Sequence, residues 1–213
     1  ANVYQDSELK TEVNLDGSVH LNERLSTATL LHFENRQMDH DGNGDGFMDM
    51  PKLRQYNLMH RWAYVSPRWI SQLMLRGLHD ERNGGQSRKH SADSSSEPLY
   101  TTSVKTNRYE AQWKNGFTLN ADHNTSVALM LHGSWHDADN MFGRTEYDVT
   151  QKNGYAQLMF ETDITEHHNL SVGASLNHDY YNERFNPLGT LARAESTVSK
   201  ETTPGVYAQY TYK

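Results

Sequence analysis

Cysteine, long apolar runs and an excess of basic residues are all missing from this sequence. With no cysteine, the chain can form no disulfide framework and no zinc-thiolate site, and it has no thiol nucleophile. No apolar run approaches the eighteen residues or so of a membrane-spanning helix. A net charge of -7 and the lack of a basic stripe argue against a nucleic-acid partner.

What the sequence does contain is an unusual combination of polarity and aromatic rings. Only 35% of the residues are hydrophobic and the mean hydropathy is -0.87, yet there are 12 Tyr, 6 Phe and 4 Trp. The charges are mixed in sign, so the composition is not that of a disordered chain. It indicates a sheet whose second face meets something other than a protein core.

Apolar and polar residues alternate over long stretches, which indicates β-strands. Several stretches exceed the five or six residues of an ordinary strand. We predict nine antiparallel strands and no helix longer than two turns. The predicted strands cover Leu9–Leu21, Leu25–Asn35, Lys52–Val65, Trp69–Asp80, Val104–Asn120, Ser126–His136, Tyr147–Glu161, Leu170–Asp179 and Val206–Tyr212.

The predicted connections alternate between short turns and long loops. Long polar segments are expected before Lys52, over Glu81–Ser103, over Asp137–Glu146 and up to Thr203. Long strands with short turns at one end and long loops at the other are typical of a transmembrane β-barrel, with the short turns periplasmic and the long loops extracellular. Tyr and Trp near the strand ends fit its aromatic girdle. The alternatives are a soluble β-sandwich, whose strands are shorter, and a β-solenoid, which needs a fixed repeat that is absent here.

A cation-binding loop is predicted in the long connection before Lys52. Carboxylate and amide side chains recur at Asp39, Asp41, Asn43, Asp45 and Asp49, with glycines between them. Ca²⁺ takes six to eight oxygen ligands on such flexible loops. Counted from Asp41, the twelfth position is Lys52, so the bidentate glutamate of the usual calcium loop is missing. The alternative is an exposed acidic turn that binds no ion.

No catalytic arrangement emerges from the remaining residues. The 12 histidines are scattered, and His132 and His136, which share one strand face, are interpreted as solvated lumen residues. No Ser-His-Asp order, phosphate loop or paired-carboxylate motif occurs in a fitting context. The sequence therefore predicts no enzyme.

Two segments resemble TonB-dependent outer-membrane receptors of Bacteroides-type bacteria. The first runs from Asp39 to Pro51 and continues through Lys52-Leu53-Arg54-Gln55 to Arg61-Trp62. The second is Glu201-Thr202-Thr203-Pro204-Gly205-Val206-Tyr207-Ala208-Gln209-Tyr210-Thr211-Tyr212. The resemblance implies a plugged barrel of about 22 strands. It also implies a bacterial outer-membrane location and TonB-powered import of a scarce small molecule such as a cobalamin or an iron chelate, with a surface-exposed lipoprotein as a further partner.

Nothing in the sequence resembles the plug of such a receptor, and nine strands are under half of its barrel. An open sheet edge is not tolerated in lipid. We therefore expect residues 1–213 to be the central part of a barrel that cannot transport anything alone. A passive channel or a surface adhesin stiffened by loop calcium is the alternative function.

Overall fold

A single antiparallel sheet forms the whole of the described chain. The computed structural model describes residues 1–7, 9–87, 98–188 and 193–212. Ten strands follow one another in chain order, with β1 and β10 at the two edges. They are β1 (Asn2–Gln5), β2 (Thr11–His20), β3 (Leu25–Arg36), β4 (Lys52–Val65), β5 (Trp69–Gly85), β6 (Thr101–Asn120), β7 (Thr125–Phe142), β8 (Thr145–Thr165), β9 (His168–Pro187) and β10 (Glu195–Tyr212). The all-β antiparallel class is confirmed.

Short turns join the strands at one end of the sheet, as predicted. They are residues 21–24, 66–68, 121–124 and 166–167. Side-chain oxygens accept backbone hydrogen bonds in these turns. Asn22 Oδ1, for example, accepts hydrogen bonds from the backbone N–H of Arg24 and Leu25, both at 2.9 Å, and Ser66 Oγ accepts one from Trp69 N–H at 3.1 Å. Such local caps favour turns over continued strand.

The predicted loop over Asp137–Glu146 is wrong. β7 continues to Phe142 and β8 begins at Thr145, so only residues 143–144 connect them. Gly143 has φ +62°, the left-handed conformation that two-residue hairpins require. Its N–H also donates to Thr101 O at 2.8 Å, which ties the hairpin to β6. The prediction failed because polar and apolar residues occur on both faces of these strand ends, which removes the alternation.

Three other strand predictions are also corrected. β10 begins at Glu195, so the predicted loop up to Thr203 is mostly strand, and the short β1 makes ten strands rather than nine. β5 extends to Gly85 and β6 begins at Thr101, which shortens the predicted Glu81–Ser103 loop at both ends. The middle of that loop, residues 88–97, lies outside the described residues. The true register is set by neighbouring strands, which one strand's pattern does not show.

The register gathers the apolar side chains on one face, here called the lipid face. Leu73 lies opposite Trp62 on β4 and Trp113 on β6, and Leu158 opposite Leu129. Among the described residues only Leu53 and Ala138 are buried hydrophobics, whereas Leu158 is 53% and Trp113 42% exposed. A face this apolar and this exposed belongs against lipid. The opposite, polar face is here called the lumen face.

Two clusters of rings bound the apolar part of the lipid face. At the short-turn end, Tyr64 contacts Trp69 and Trp69 stacks on Phe117, with ring centroids 4.7 and 5.8 Å apart. At the loop end, Phe33 contacts Tyr56 at 5.1 Å and Tyr109 stacks on Trp135 at 5.6 Å.

The spacing of these rings matches a membrane. At about 3.4 Å per residue, β6 rises about 27 Å from Tyr109 to Phe117. A strand tilt of 35–45° reduces that to about 20 Å, close to the apolar band of an outer-membrane barrel. We call this part of the sheet the membrane band, and the strands beyond Tyr109 and Trp135 the loop-end extension. Within the described residues, no helix is long and apolar enough to span a membrane.

Candidate functional site on the lumen face and the loop end

An ion-pair cluster occupies the lumen face of the membrane band. Glu110 on β6 accepts hydrogen bonds from Arg108 Nη2 at 2.6 Å and Nε at 2.9 Å, and from Arg76 Nη1 on β5 at 3.4 Å. Arg76 Nε donates to Asn57 Oδ1 on β4 at 3.5 Å. The side chain of Glu110 is only 12% exposed, so both cations compensate a largely desolvated charge.

Polar networks continue the lumen face to either side of this cluster. Towards β2, His32 Nδ1 lies 2.7 Å from Asn14 Oδ1. Towards β9, Asn153 Nδ2 donates to Asn177 Oδ1 at 2.8 Å and to Asp179 Oδ1 at 2.9 Å. These side chains form a wall of donors and acceptors that can bind or orient a polar group inside a barrel.

A shallow groove of about 410 Å³ opens beside the cluster. Apolar Leu30, Met59 and Met74 line it, together with the polar side chains of His32 and Arg76. Because Asp16 also lines the groove, its wall combines apolar surface with charges of both signs and can bind a ligand that has apolar and polar parts.

Six histidines of the described residues lie within hydrogen-bond distance of a neutral side chain. The register places His132 and His136 on the lumen face, as predicted. His60 is on the lipid face instead, where its ring nitrogens lie 3.0 and 2.7 Å from the hydroxyls of Thr27 and Thr29. Among the described residues no group of three or more His, Asp or Glu is arranged to hold a metal ion.

Four of the five predicted calcium ligands lie at the tip of the loop formed by residues 37–51, here called the acidic loop, where their carboxylates do not converge into a group that could hold a metal ion. Asp41 accepts hydrogen bonds from Gly44 N–H at 2.8 Å and Gly46 N–H at 3.1 Å. Asp49 accepts one from Gly42 N–H at 2.7 Å, and Asn43 one from Asp45 N–H at 3.0 Å. The carboxylates thus fold the loop through its own backbone, and the calcium site stays a prediction.

Asp39, the fifth predicted ligand, lies at the base of the acidic loop. Its Oδ1 is 2.6 Å from the Nζ atom of Lys52, and Lys52 is the first residue of β4. This is the lysine found where a calcium loop would have its bidentate glutamate. A cation bound by Asp39 would have to displace this ammonium group, so Asp39 fits a calcium site less well than the four residues at the tip.

The acidic loop is attached to the loop beside it, a contact that the sequence did not reveal. Met48 N–H donates to Gly85 O at 2.9 Å and Ser87 N–H donates to Gly46 O at 2.7 Å, and Phe47 and Gln86 form an isolated bridge. Ser87 is only 1% exposed. The shape of the acidic loop is therefore coupled to Gly85, Gln86 and Ser87, at and just beyond the end of β5.

A second feature missed by the sequence analysis lies on the lumen face of the loop-end extension. Tyr147 donates a hydrogen bond to Glu183 Oε2 at 2.9 Å, and its hydroxyl lies 3.3 Å from that of Tyr181. These two contacts raise the pKa of Tyr147 above its ordinary value. A fixed pair of phenols beside a carboxylate offers hydrogen-bond donors and acceptors at this end of the sheet.

The fold and the two faces define the class: the chain is a segment of an antiparallel transmembrane β-barrel, with short periplasmic turns and, apart from the two-residue hairpin at residues 143–144, longer extracellular connections. No family model matches the sequence, and no curated protein matches it in sequence. Among solved structures it is similar to the ferric yersiniabactin uptake receptor FyuA from Yersinia pestis, with a TM-score of 0.58 and 10% identity. The match covers 94% of this chain and 34% of that one, so the chain spans about a third of the receptor's length. At this identity the likeness shows the fold.

Proposed function

We propose that this chain is part of the barrel wall of a TonB-dependent outer-membrane receptor of Bacteroides type, which imports a scarce nutrient. The observation that carries the proposal is the pairing of an exposed apolar face with a hydrogen-bonded lumen face on one long meander, in the fold of an uptake receptor. The nutrient would be a cobalamin or an iron chelate. A plug and further strands would come from outside residues 1–213.

The groove on the lumen face supports a receptor over a passive channel. Its apolar Leu30, Met59 and Met74 beside Arg76 offer more than the uniformly wet wall that a diffusion pore needs. The wall itself contributes binding, while the energy for transport would come from the TonB system. We further propose that the receptor has a surface lipoprotein as a partner, which would cover the extracellular loops.

The test is uptake by cells whose outer membrane carries the complete protein containing this chain. The purified protein is first analysed by mass spectrometry for a retained cobalamin or iron chelate. Uptake of the identified compound is then measured with and without TonB. We expect uptake to need TonB, and TonB-independent uptake would instead support a passive channel. Lack of any bound or imported small molecule would favour the adhesin.

We also propose that the acidic loop binds one Ca²⁺ ion. Asp41, Asn43, Asp45 and Asp49 would be ligands at the tip, and Asp39 would join them on release from Lys52. Four carboxylates within eleven residues repel one another, and a divalent cation offsets that repulsion. Without a bidentate glutamate we expect a Kd on the order of 10⁻⁴–10⁻³ M, as in extracellular modules. The ion would order the ligand-capturing loops and would have no catalytic role.

Calcium binding is tested by hydrogen exchange at Gly44, Gly46 and Ser87 in the complete protein, with Ca²⁺ and with a chelator. We expect Ca²⁺ to increase protection in the wild type and in the control Asp122→Asn, which removes a carboxylate from a periplasmic turn. The double variant Asp41→Asn, Asp45→Asn should lose this response. Unchanged protection of the wild type under chelator would show that the acidic loop is a turn without an ion.

A further inference from the structure

Two lysines and a tyrosine form an unusual group on the lipid face, at the level of the loop-end rings. Lys152 on β8 and Lys200 on β10 both lie directly opposite Tyr180 on β9. Their ammonium nitrogens are 5.8 and 5.7 Å from the centre of the Tyr180 ring. One half-buried ring thus holds two exposed cations from opposite sides, within the range of cation–π attraction.

The group lies at the height of the membrane–water interface. Lys152 is directly opposite Trp135, which in turn pairs with Tyr109. The three residues of the group therefore continue the row of loop-end rings around the sheet. A lysine at this height places its aliphatic stem against lipid tails and its ammonium among lipid headgroups.

Neither ammonium is neutralised by the protein within the part of the chain that the structure describes. No carboxylate there lies within ion-pair distance of Lys152 or Lys200, and neither lysine has a further partner. The acidic side chain of the adjoining row, Asp137, lies opposite Thr150 and accepts a hydrogen bond from it at 2.7 Å. The other polar residues in the two adjoining rows of β9 and β10 are Asn182, His178 and Thr202, which carry an amide, an imidazole and a hydroxyl group. Of these, His178 Nδ1 lies 2.7 Å from Thr202 Oγ1.

We propose that Lys152, Lys200 and Tyr180 form a binding site for the phosphate of an anionic lipid headgroup in the outer leaflet. Two like charges beside one ring repel each other, and a phosphate within reach of both ammonium groups offsets that repulsion through charge-assisted hydrogen bonds. The Tyr180 ring fixes the position of both stems, which lowers the entropy lost on binding. The occupant is a lipid because the site faces the bilayer at headgroup height. The site is independent of whichever nutrient the receptor imports.

The experiment uses the complete protein in phosphatidylglycerol nanodiscs diluted with phosphatidylcholine, and counts retained phosphatidylglycerol by native mass spectrometry. The double variant Lys152→Gln, Lys200→Gln should bind about thirtyfold more weakly and each single variant about fivefold, the scale for cations at an anionic membrane surface. The matched control is Lys114→Gln, which removes the same charge from the lumen face opposite Gln72. This control should retain the lipid as the wild type does.

A second measurement separates a lipid site from one that takes any phosphate, and it needs no variant. Retention by the wild type should fall as salt is raised, and millimolar inorganic phosphate should not displace the lipid at constant ionic strength. Equal retention by the double variant and Lys114→Gln would overturn the proposal. So would displacement by inorganic phosphate. Heat-modifiability on gels verifies that each variant is assembled.

Discussion

Strands β5 to β9 pass through two environments, the membrane band and the loop-end extension, and their lipid face changes completely between them. In the membrane band this face carries Leu73, Trp113 and Leu131 in one cross-strand row. In the extension the corresponding row is Lys105, Asp139, Asp148 and Arg184. The backbone ladder is the same in both, so hydrogen bonding alone does not select the side chains. What differs is the medium against the face, which is lipid in one part and water in the other.

The largest expected effect is that of an arginine placed on the lipid face of the membrane band. Leu73 is midway along β5 between the two groups of rings, so Leu73→Arg should destabilise the assembled barrel by about 2–4 kcal/mol. Leu129→Arg should behave in the same way. Heat-modifiability and urea unfolding in the complete protein measure the loss.

The control for this prediction is Gln112→Arg, at the same depth on the lumen face. Gln112 pairs with Met74 and His132 on the polar side of the sheet, so the charge remains in a wet environment and the effect should be mild. Equal losses at Leu73 and Gln112 would show that the two faces have been assigned wrongly.

A smaller effect is expected at the base of the extracellular loops. Gly85 has φ +107°, and an added Cβ would lie 2.4 Å from the backbone oxygen of Tyr100. Gly85→Ala must therefore push β5 away from β6. This movement should break the hydrogen bonds from Met48 N–H to Gly85 O and from Gln86 N–H to Tyr100 O. We expect loss of exchange protection at Met48 and Ser87, while the membrane band keeps its protection.

Gly44→Ala provides the comparison within the acidic loop. Its φ of +72° carries the left-handed cost of about 1–2 kcal/mol, but nothing lies within 4 Å of the added Cβ. Its effect should stay within the acidic loop. If Gly85→Ala changed exchange no more than Gly44→Ala, the two loops would not be coupled as the structure indicates.

The smallest expected effect is the difference in stability cost between breaking an ion pair in the membrane band and breaking one in the loop-end extension. Glu110→Gln leaves Arg76 and Arg108 without their carboxylate in the membrane band, and should cost about 1–2 kcal/mol after allowance for the partial exposure of both arginines. Glu146→Gln in the extension breaks a 3.5 Å contact with Arg184 whose side chains are 30% and 55% exposed. Its cost should be below about 0.5 kcal/mol. Urea unfolding of both variants measures the difference, and equal costs would contradict it.

The amino-acid order by itself determined the strands of the membrane band and the face of each residue. Alternation with period two is a property of each short stretch of sequence, since successive side chains of a strand point to opposite faces. Lys52–Val65 was therefore predicted with its observed bounds, and Leu73 and Gln112 were assigned to their observed faces. The acidic loop was also recognised from the sequence, because its acidic residues and glycines lie within one short stretch.

Only the tertiary structure decided where the strands end and which loops touch. In the loop-end extension both faces meet water, so Asp137–Phe142 shows no alternation, and its pairing with Thr145–Glu146 and with β6 supplies the missing constraint. Asp39 has the same spacing as the other acidic residues, but its contact with Lys52 separates it from them. The contact of Gly46 with Ser87, like the pair of lysines on Tyr180, joins residues far apart in the chain. Such pairs depend on the register of several strands at once, which no local stretch of sequence specifies.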